Sequence, residues 1–217
     1  MCDKRDISKG RLVMNHKERM LAGLPYKAWM DGLPKERMKN QKKLYKFNHN
    51  RPNKRRKMDK LIRDILGKAG VGVQIMSPFY CDYGKNIEVG DYFFANYNCI
   101  ILDVAKVIIG NHVLFGPNVS LYTAGHPLHP DPRNAGYEYG IGITIGENVW
   151  IGGNVVINPG VHIGNNVVIG SGSVVTKDIP DNVIAVGNPC KVVREITQED
   201  RKYYYKDLEF DVEDYED

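Results

Sequence analysis

Residues 122–140 read YTAGHPLHPDPRNAGYEYG, with two histidines three positions apart, His126 and His129, among prolines and glycines. Imidazole titrates near neutrality, so such a side chain can take a proton from a reacting hydroxyl or, when neutral, bind a metal ion. A lone loop histidine has no role by default, and the rest of the chain must decide between these readings. Zinc sites need three or four converging ligands, for which His112, His126, His129 and His162 are the histidine candidates; no metal is expected. The four cysteines, Cys2, Cys81, Cys99 and Cys190, lie far apart without a C-x-x-C pair, which suggests buried or idle thiols.

The elements that would position these residues are read from pattern. From residue 143 onward Ile145, Ile151, Ile157, Ile163, Ile169 and Val175 recur every six residues, and Val149, Val155, Val161, Val167, Ser173 and Ile179 follow each by four. Earlier blocks, Ile109, Phe115, Leu121 and Val89, Ala95, Ile101, keep the same step, offset by two residues between Ile101 and Ile109. Six is even, so a strand-like repeat returns each aliphatic side chain to one face, whereas a helix would rotate it away. Turn formers follow each aliphatic position (IGEN, IGGN, INPG, IGNN, IGSG). The pattern predicts a solenoid of short parallel strands around an aliphatic column. The histidine stretch is where that repeat breaks.

Residues 15–67 are patterned as helix instead, with breaks at Gly32-Leu33-Pro34 and Asn50-Arg51-Pro52 that divide them into about three short helices. The chain has 217 residues, 42% hydrophobic, enough for one sizeable core. It contains neither an apolar run of transmembrane length nor the apolar centre of a signal peptide, so no membrane association and a cytoplasmic location are expected. Residues 1–70 carry 21 Lys+Arg against 7 Asp+Glu, a net +14, and the remainder a net −10. The basic run RPNKRRKMDK lacks aromatic interleaving and a recognised reading module, so it is read as a solvated helical face and no nucleic-acid partner is expected.

Together, the strings MLAGLPY (20–26), FNH (47–49), CDYGKNIEVG (81–90), FFANYN (93–98), TAGHP (123–127), ITIGENVWIGGNVVINPGV (143–161), TKDIPDN (176–182) and GNPCKVVREI (187–196) resemble the maltose and galactoside O-acetyltransferase family. The resemblance implies a mainly β fold, a left-handed parallel β-helix of hexapeptide repeats with an N-terminal α-helical segment and a short C-terminal helix. It divides the chain into an extension (1–13), the helical segment (14–68), the β-helix domain (69–195) with a catalytic loop at 122–142, and a C-terminal helix with an acidic tail (196–217). The Thr197-x-x-Asp200 pattern marks where that last helix starts.

The same resemblance implies transfer of an acetyl group from acetyl-CoA to a sugar hydroxyl, with His126 as general base and a homotrimer as the working form. A backbone N–H or the side chain of Asn96 is the candidate oxyanion donor, and Glu138, by its proximity in sequence alone, the candidate that orients His126. Asp82, Phe94, Asn96 and Asp103 match acceptor contacts. Trp150 and Gly153 match positions near the pantetheine arm of CoA, Ser171, Thr176 and Lys177 the middle of the CoA site, and Lys191 with Arg194 the basic pair near its nucleotide phosphates. Galactoside-type members carry serine, tyrosine and an acidic residue where this chain has Asp82, Phe94 and Ala28, so CDYG and FFAN look more like the maltose branch. The alternatives are another hydroxyl or an amine as acceptor, a non-catalytic assembly subunit, and a zinc carbonic anhydrase-like protein.

Overall fold

The structure, a computed structural model, describes residues 14–212. The extension 1–13 and the last residues of the acidic tail lie outside the described residues. Three parallel sheets form the flat faces of a solenoid. Face 1 holds Lys68–Ala69, Ile87–Val89, Val107–Ile109, Ile143–Ile145 and His162–Ile163. Face 2 holds Gln74–Ile75, Phe94–Ala95, Leu114–Phe115, Trp150–Ile151, Val168–Ile169 and Val183–Val186, closed by the antiparallel strand Lys191–Glu195. Face 3 holds Phe79–Cys81, Cys99–Leu102, Ser120–Tyr122, Val156–Ile157 and Val174–Val175. The chain runs face 1, face 2, face 3 and repeats.

Inside, the aliphatic column is continuous: Ile145, Ile151, Ile157, Ile163, Ile169 and Val175 are all at most 1% exposed. Burying each such side chain is worth about 1.5–3 kcal/mol. Ser173 occupies one column position without a polar penalty, because its hydroxyl donates to Gly170 O (2.5 Å) and accepts from Gly187 N (3.0 Å). The corners need left-handed backbone, which asparagine tolerates. At the corner between faces 1 and 2, Asn148, Asn166 and Asn182 have φ near +57°, +53° and +60°, and lower in the same row Tyr92 and His112 take that conformation and stack with ring centres 5.0 Å apart.

A solenoid leaves an open edge, and here the helices close it. Helices α1 (His16–Leu21), α2 (Leu33–Asn48) and α3 (Arg55–Ile65) match the expected three. At the end of α2 the Asn48 side-chain amide donates to Phe79 O and accepts from Phe79 N, both at 2.9 Å, taking the place of a neighbouring strand. Arg63 of α3 donates to the carbonyls of Ala69 and Gly70 (3.0 Å each) at the edge of face 1. Leu44, Phe47, Ile62 and Ile65 complete the seal from the apolar side.

The C-terminal segment differs from a simple helix. One 3-10 turn, Gln198–Arg201, is capped by Thr197 and Asp200 as expected, and a hairpin of Tyr203–Tyr205 and Leu208–Glu209 follows. Three tyrosines favour extended backbone, and Lys206 at φ +50° makes the reversal. Among the described residues no helix is long and apolar enough to cross a membrane.

Candidate active site

Every break in the repeat falls at one corner, between faces 3 and 1. The inward positions Cys81 and Val89, and again Ile101 and Ile109, are eight residues apart instead of six, Leu121 and Ile145 are 24 apart, and Val175 and Ile179, which stacks on Ile163, are only four apart. The first two breaks build a shelf and the third builds an arm above it.

The shelf is organised by Asp103. Its side chain is fully buried, and its Oδ1 accepts from the backbone N–H of Asp82 and of Tyr83, both at 2.9 Å. Asn86 Nδ2 donates to the Asp103 carbonyl (2.7 Å) and closes the turn. One coil higher, the buried Thr123 hydroxyl donates to Leu102 O (2.6 Å) and accepts from Ala105 N (3.0 Å). Burial pushes the Asp103 carboxyl up to about 7, opposed by the amides it accepts from and reinforced by the nearby Asp82 charge. This corrects the expectation that Asp103 touches the acceptor: a carboxylate with no exposed surface and its oxygen committed to two amides shapes the turn that presents Asp82. Asp82 itself is half-buried, and its carboxyl is raised by burial, lowered by Arg37 and raised by Glu138.

The arm leaves at Thr123 and returns at Ile141, whose N–H donates to Thr123 O (2.9 Å). Ala124–Gly125 pairs antiparallel with Tyr139–Gly140, and helix α4 (Pro130–Asn134) forms the tip. His129 caps α4, accepting from Asp131 N at 3.2 Å, which gives it a structural place. The arm is also held from below. Tyr26 and Glu138 exchange backbone hydrogen bonds, and Arg37 of α2 donates to Tyr83 Oη (2.8 Å) and Ala28 O (2.9 Å). Tyr26 is fully buried, and its hydroxyl faces the Glu138 side chain. Burial first, and Glu138 second, push its ionisation far up.

His126 is 58% exposed at its side chain, with Nδ1 3.4 Å from Tyr137 O and Nε2 3.9 Å from Glu138 Oε2. Glu138 was expected to hold the ring nitrogen opposite the working one. In the structure the Tyr137 carbonyl faces Nδ1 and Glu138 stands on the Nε2 side. An Nδ1–H donated to that carbonyl leaves Nε2 with its lone pair, on the side where the Glu138 carboxylate stands.

The remaining candidates lie elsewhere on the chain. Phe94, Leu114, Trp150, Val168 and Ile184 are in lateral register on the outside of face 2, with Trp150 56% and Leu114 48% exposed. Asn96, Gly153 and Ser171 follow at the corner between faces 2 and 3. Asn96 Oδ1 accepts from Tyr97 N (2.8 Å), which commits the acceptor end of the amide and leaves its N–H groups for another partner. A Cβ on Gly152 would lie 2.6 Å from Ser171 N, and one on Gly116 would lie 2.6 Å from Gly153 N, so bare backbone stacks on bare backbone along this corner. Thr176 and Lys177 sit at the corner between faces 3 and 1, on the coils beyond the arm. Lys191 and Arg194 lie on the final strand of face 2, where Arg194 is gripped by both carboxylate oxygens of Asp200 (2.8 and 2.6 Å). That pairing pulls the Asp200 carboxyl down to about 2. His126 and Asn96 therefore occupy different corners of one chain.

Residues 142–177 match the bacterial transferase hexapeptide (six repeats) family, and residues 19–70 match the maltose acetyltransferase hexapeptide capping motif. The galactoside O-acetyltransferase of Escherichia coli K12 is 47% identical over 190 residues, 88% of this chain and 94% of the relative. The chain belongs to this acetyltransferase family. A maltose O-acetyltransferase structure from Clostridium difficile 630 is 50% identical, with a TM-score of 0.84, covering 85% of this chain and 99% of that one. A galactoside acetyltransferase in complex with coenzyme A is 46% identical, with a TM-score of 0.90 over 92% of this chain and 100% of that one. Membership accounts for the helical cap over residues 19–70 as well as for the coils. Tyr26, Arg37 and Tyr83, which support the arm and the shelf from below, are residues that the sequence reading did not single out. Tyr26 ends the MLAGLPY string, yet its pairing with residue 138 is not visible from spacing.

Proposed function

We propose that this acetyltransferase moves the acetyl group of acetyl-CoA to a hydroxyl of a maltose- or glucose-type sugar, with His126 Nε2 as the base. The observation that carries the reading is the His126 environment, a carbonyl at Nδ1 and a carboxylate beside Nε2, on an arm clamped by Tyr26. A sugar hydroxyl is too weakly acidic to attack a thioester unaided. His126 Nε2 takes its proton as the oxygen bonds to the acetyl carbon, and the Glu138 carboxylate balances the imidazolium that forms. The carbonyl oxygen becomes an oxyanion, for which the Asn96 amide N–H is the donor. Collapse breaks the carbon–sulfur bond, and the CoA thiolate leaves with the proton that His126 returns.

Since one chain holds His126 and Asn96 at different corners, the working site needs two copies, the arm of one facing the outside of face 2 of the next. A homotrimer of parallel solenoids supplies three such grooves. Trp150 with the outward face 2 column lines the pantetheine path, Gly153 and Ser171 give close backbone approach, and Thr176 and Lys177 come from the facing copy. Lys191 and Arg194 meet the phosphates, Arg194 with its fork already oriented by Asp200. Asp82, presented by the Asp103 turn, accepts from acceptor hydroxyls, and Phe94 packs on the ring.

The test is acetyl-CoA-dependent thiol release with maltose, glucose, galactosides, amino sugars and serine as acceptors. Turnover greatest with glucosyl sugars, and lowered about a hundred- to ten-thousand-fold by His126→Ala, is the expected result. Turnover only with serine or an amine overturns the sugar assignment, and an unaffected His126→Ala overturns the base.

A further inference from the structure

Trp29 is unusual for its residue type, which ordinarily buries most of its surface. Its side chain is 56% exposed, yet it is not loose. The benzo edge of the indole fills the space where Gly136 would carry a side chain: a Cβ there would fall 1.6 Å from Trp29 Cη2 and 2.6 Å from Cζ3. Gly136 is also at φ +81°, so the arm keeps a glycine in a conformation that seats this ring. Lys27 Nζ lies 5.9 Å from the centre of the Trp29 ring and 4.8 Å from that of Tyr137, linking the two aromatics.

The position of this wedge matters. Gly136 is followed by Tyr137, whose carbonyl faces His126 Nδ1, and then by Glu138 beside Nε2. Trp29 thus stands at the rim of the site, one arm residue beyond the group that orients the base.

We propose that Trp29 is a stacking platform for a second sugar ring of the acceptor, making a disaccharide or longer glycoside the preferred substrate class. This rests on the sugar acetyl transfer proposed above. The ring that reacts must bring its hydroxyl to Nε2 and its other hydroxyls to Asp82. What is attached to that ring extends past Tyr137 and reaches the exposed indole. A pyranose presents a face of C–H groups with partial positive charge, which suits the electron-rich face of an aromatic ring, while its hydroxyls point sideways into water. An indole already fixed by Gly136 loses little side-chain freedom on binding.

The experiment measures kcat/KM of the full chain for glucose, maltose and maltotriose, for wild type, Trp29→Ala, Trp29→Phe and Gly136→Ala, with gel filtration of each. The expected result is a fall of about tenfold in the maltotriose-to-glucose ratio for Trp29→Ala, the size of one lost aromatic contact, and a smaller fall for Trp29→Phe. Gly136→Ala, whose methyl takes the place of the ring edge, should lower the ratio as Trp29→Ala does. An unchanged ratio with intact sugar turnover overturns the platform alone. No turnover with any sugar, together with no calorimetric binding of maltotriose, overturns the platform and the sugar reading together. A Trp29→Ala protein that changes oligomeric state makes the ring a contact between copies and also overturns the platform.

Discussion

Tyr26 and Glu138, 112 positions apart in the chain, are joined by two backbone hydrogen bonds, Tyr26 N to Glu138 O at 2.9 Å and Glu138 N to Tyr26 O at 3.0 Å. Through that bridge the helical cap holds the Glu138 carboxylate beside His126, so folding of the cap and placement of the proposed base are coupled. Tyr26→Ala should cost about 3–5 kcal/mol in urea unfolding, since it empties a fully buried site, and should lower kcat more than the KM for acetyl-CoA. Tyr26→Phe keeps the packing and removes only the hydroxyl that faces Glu138, so it should change stability by about 1 kcal/mol or less. An active, fully stable Tyr26→Ala protein would refute the clamp.

Mixing two inactive variants separates a shared site from a private one. Asn96→Ala and His126→Ala proteins should each be nearly silent, and co-refolded together they should regain partial activity, because some interfaces then pair an intact Asn96 with an intact His126. Silence of properly assembled mixtures would place both residues in one chain's site.

The buried Asp103 makes a pH prediction. Its carboxyl sits near 3.8 when unfolded and about 7 when folded, so across that window the native chain holds a proton that the unfolded chain has released. Stability from this group is therefore full at the acid end and falls as pH rises from about 4 to 7. Asp103→Asn cannot ionise and should flatten that part of the profile, as read by thermal unfolding at pH 5, 6, 7 and 8. Parallel wild-type and variant profiles would contradict the assignment.

The aliphatic column predicts graded losses. Ile157 is fully buried, so Ile157→Val should cost about 0.5–1.5 kcal/mol and Ile157→Ala about 2–5 kcal/mol, measured by denaturant midpoint at constant protein concentration. Equal costs would mean that the coils collapse around the cavity.

How much of this was legible in the sequence differs between coil and corner. The six-residue step located the column because side-chain direction along a strand depends only on parity, which distant contacts do not alter. Even Ser173 fell in place. The two-residue offset after Ile101 was visible, yet not its cause, since the Asp103 carboxylate that supports the longer turn serves residues 82 and 83 from the coil below. Spacing likewise gave no sign that Tyr26 pairs with Glu138 or that Arg37 reaches Tyr83. The C-terminal cap was legible from Thr197 and Asp200, whereas the hairpin behind it depends on tyrosine-rich residues that a capping pattern does not address.

The Asn48 amide on Phe79 has a consequence for growth. A stack of identical coils has no intrinsic length, and at an uncovered edge another molecule can add its own strand and extend the stack indefinitely. By answering both hydrogen-bonding groups of one edge residue, the Asn48 side chain, together with Arg63 on face 1, gives this otherwise polymerisable stack a defined first layer.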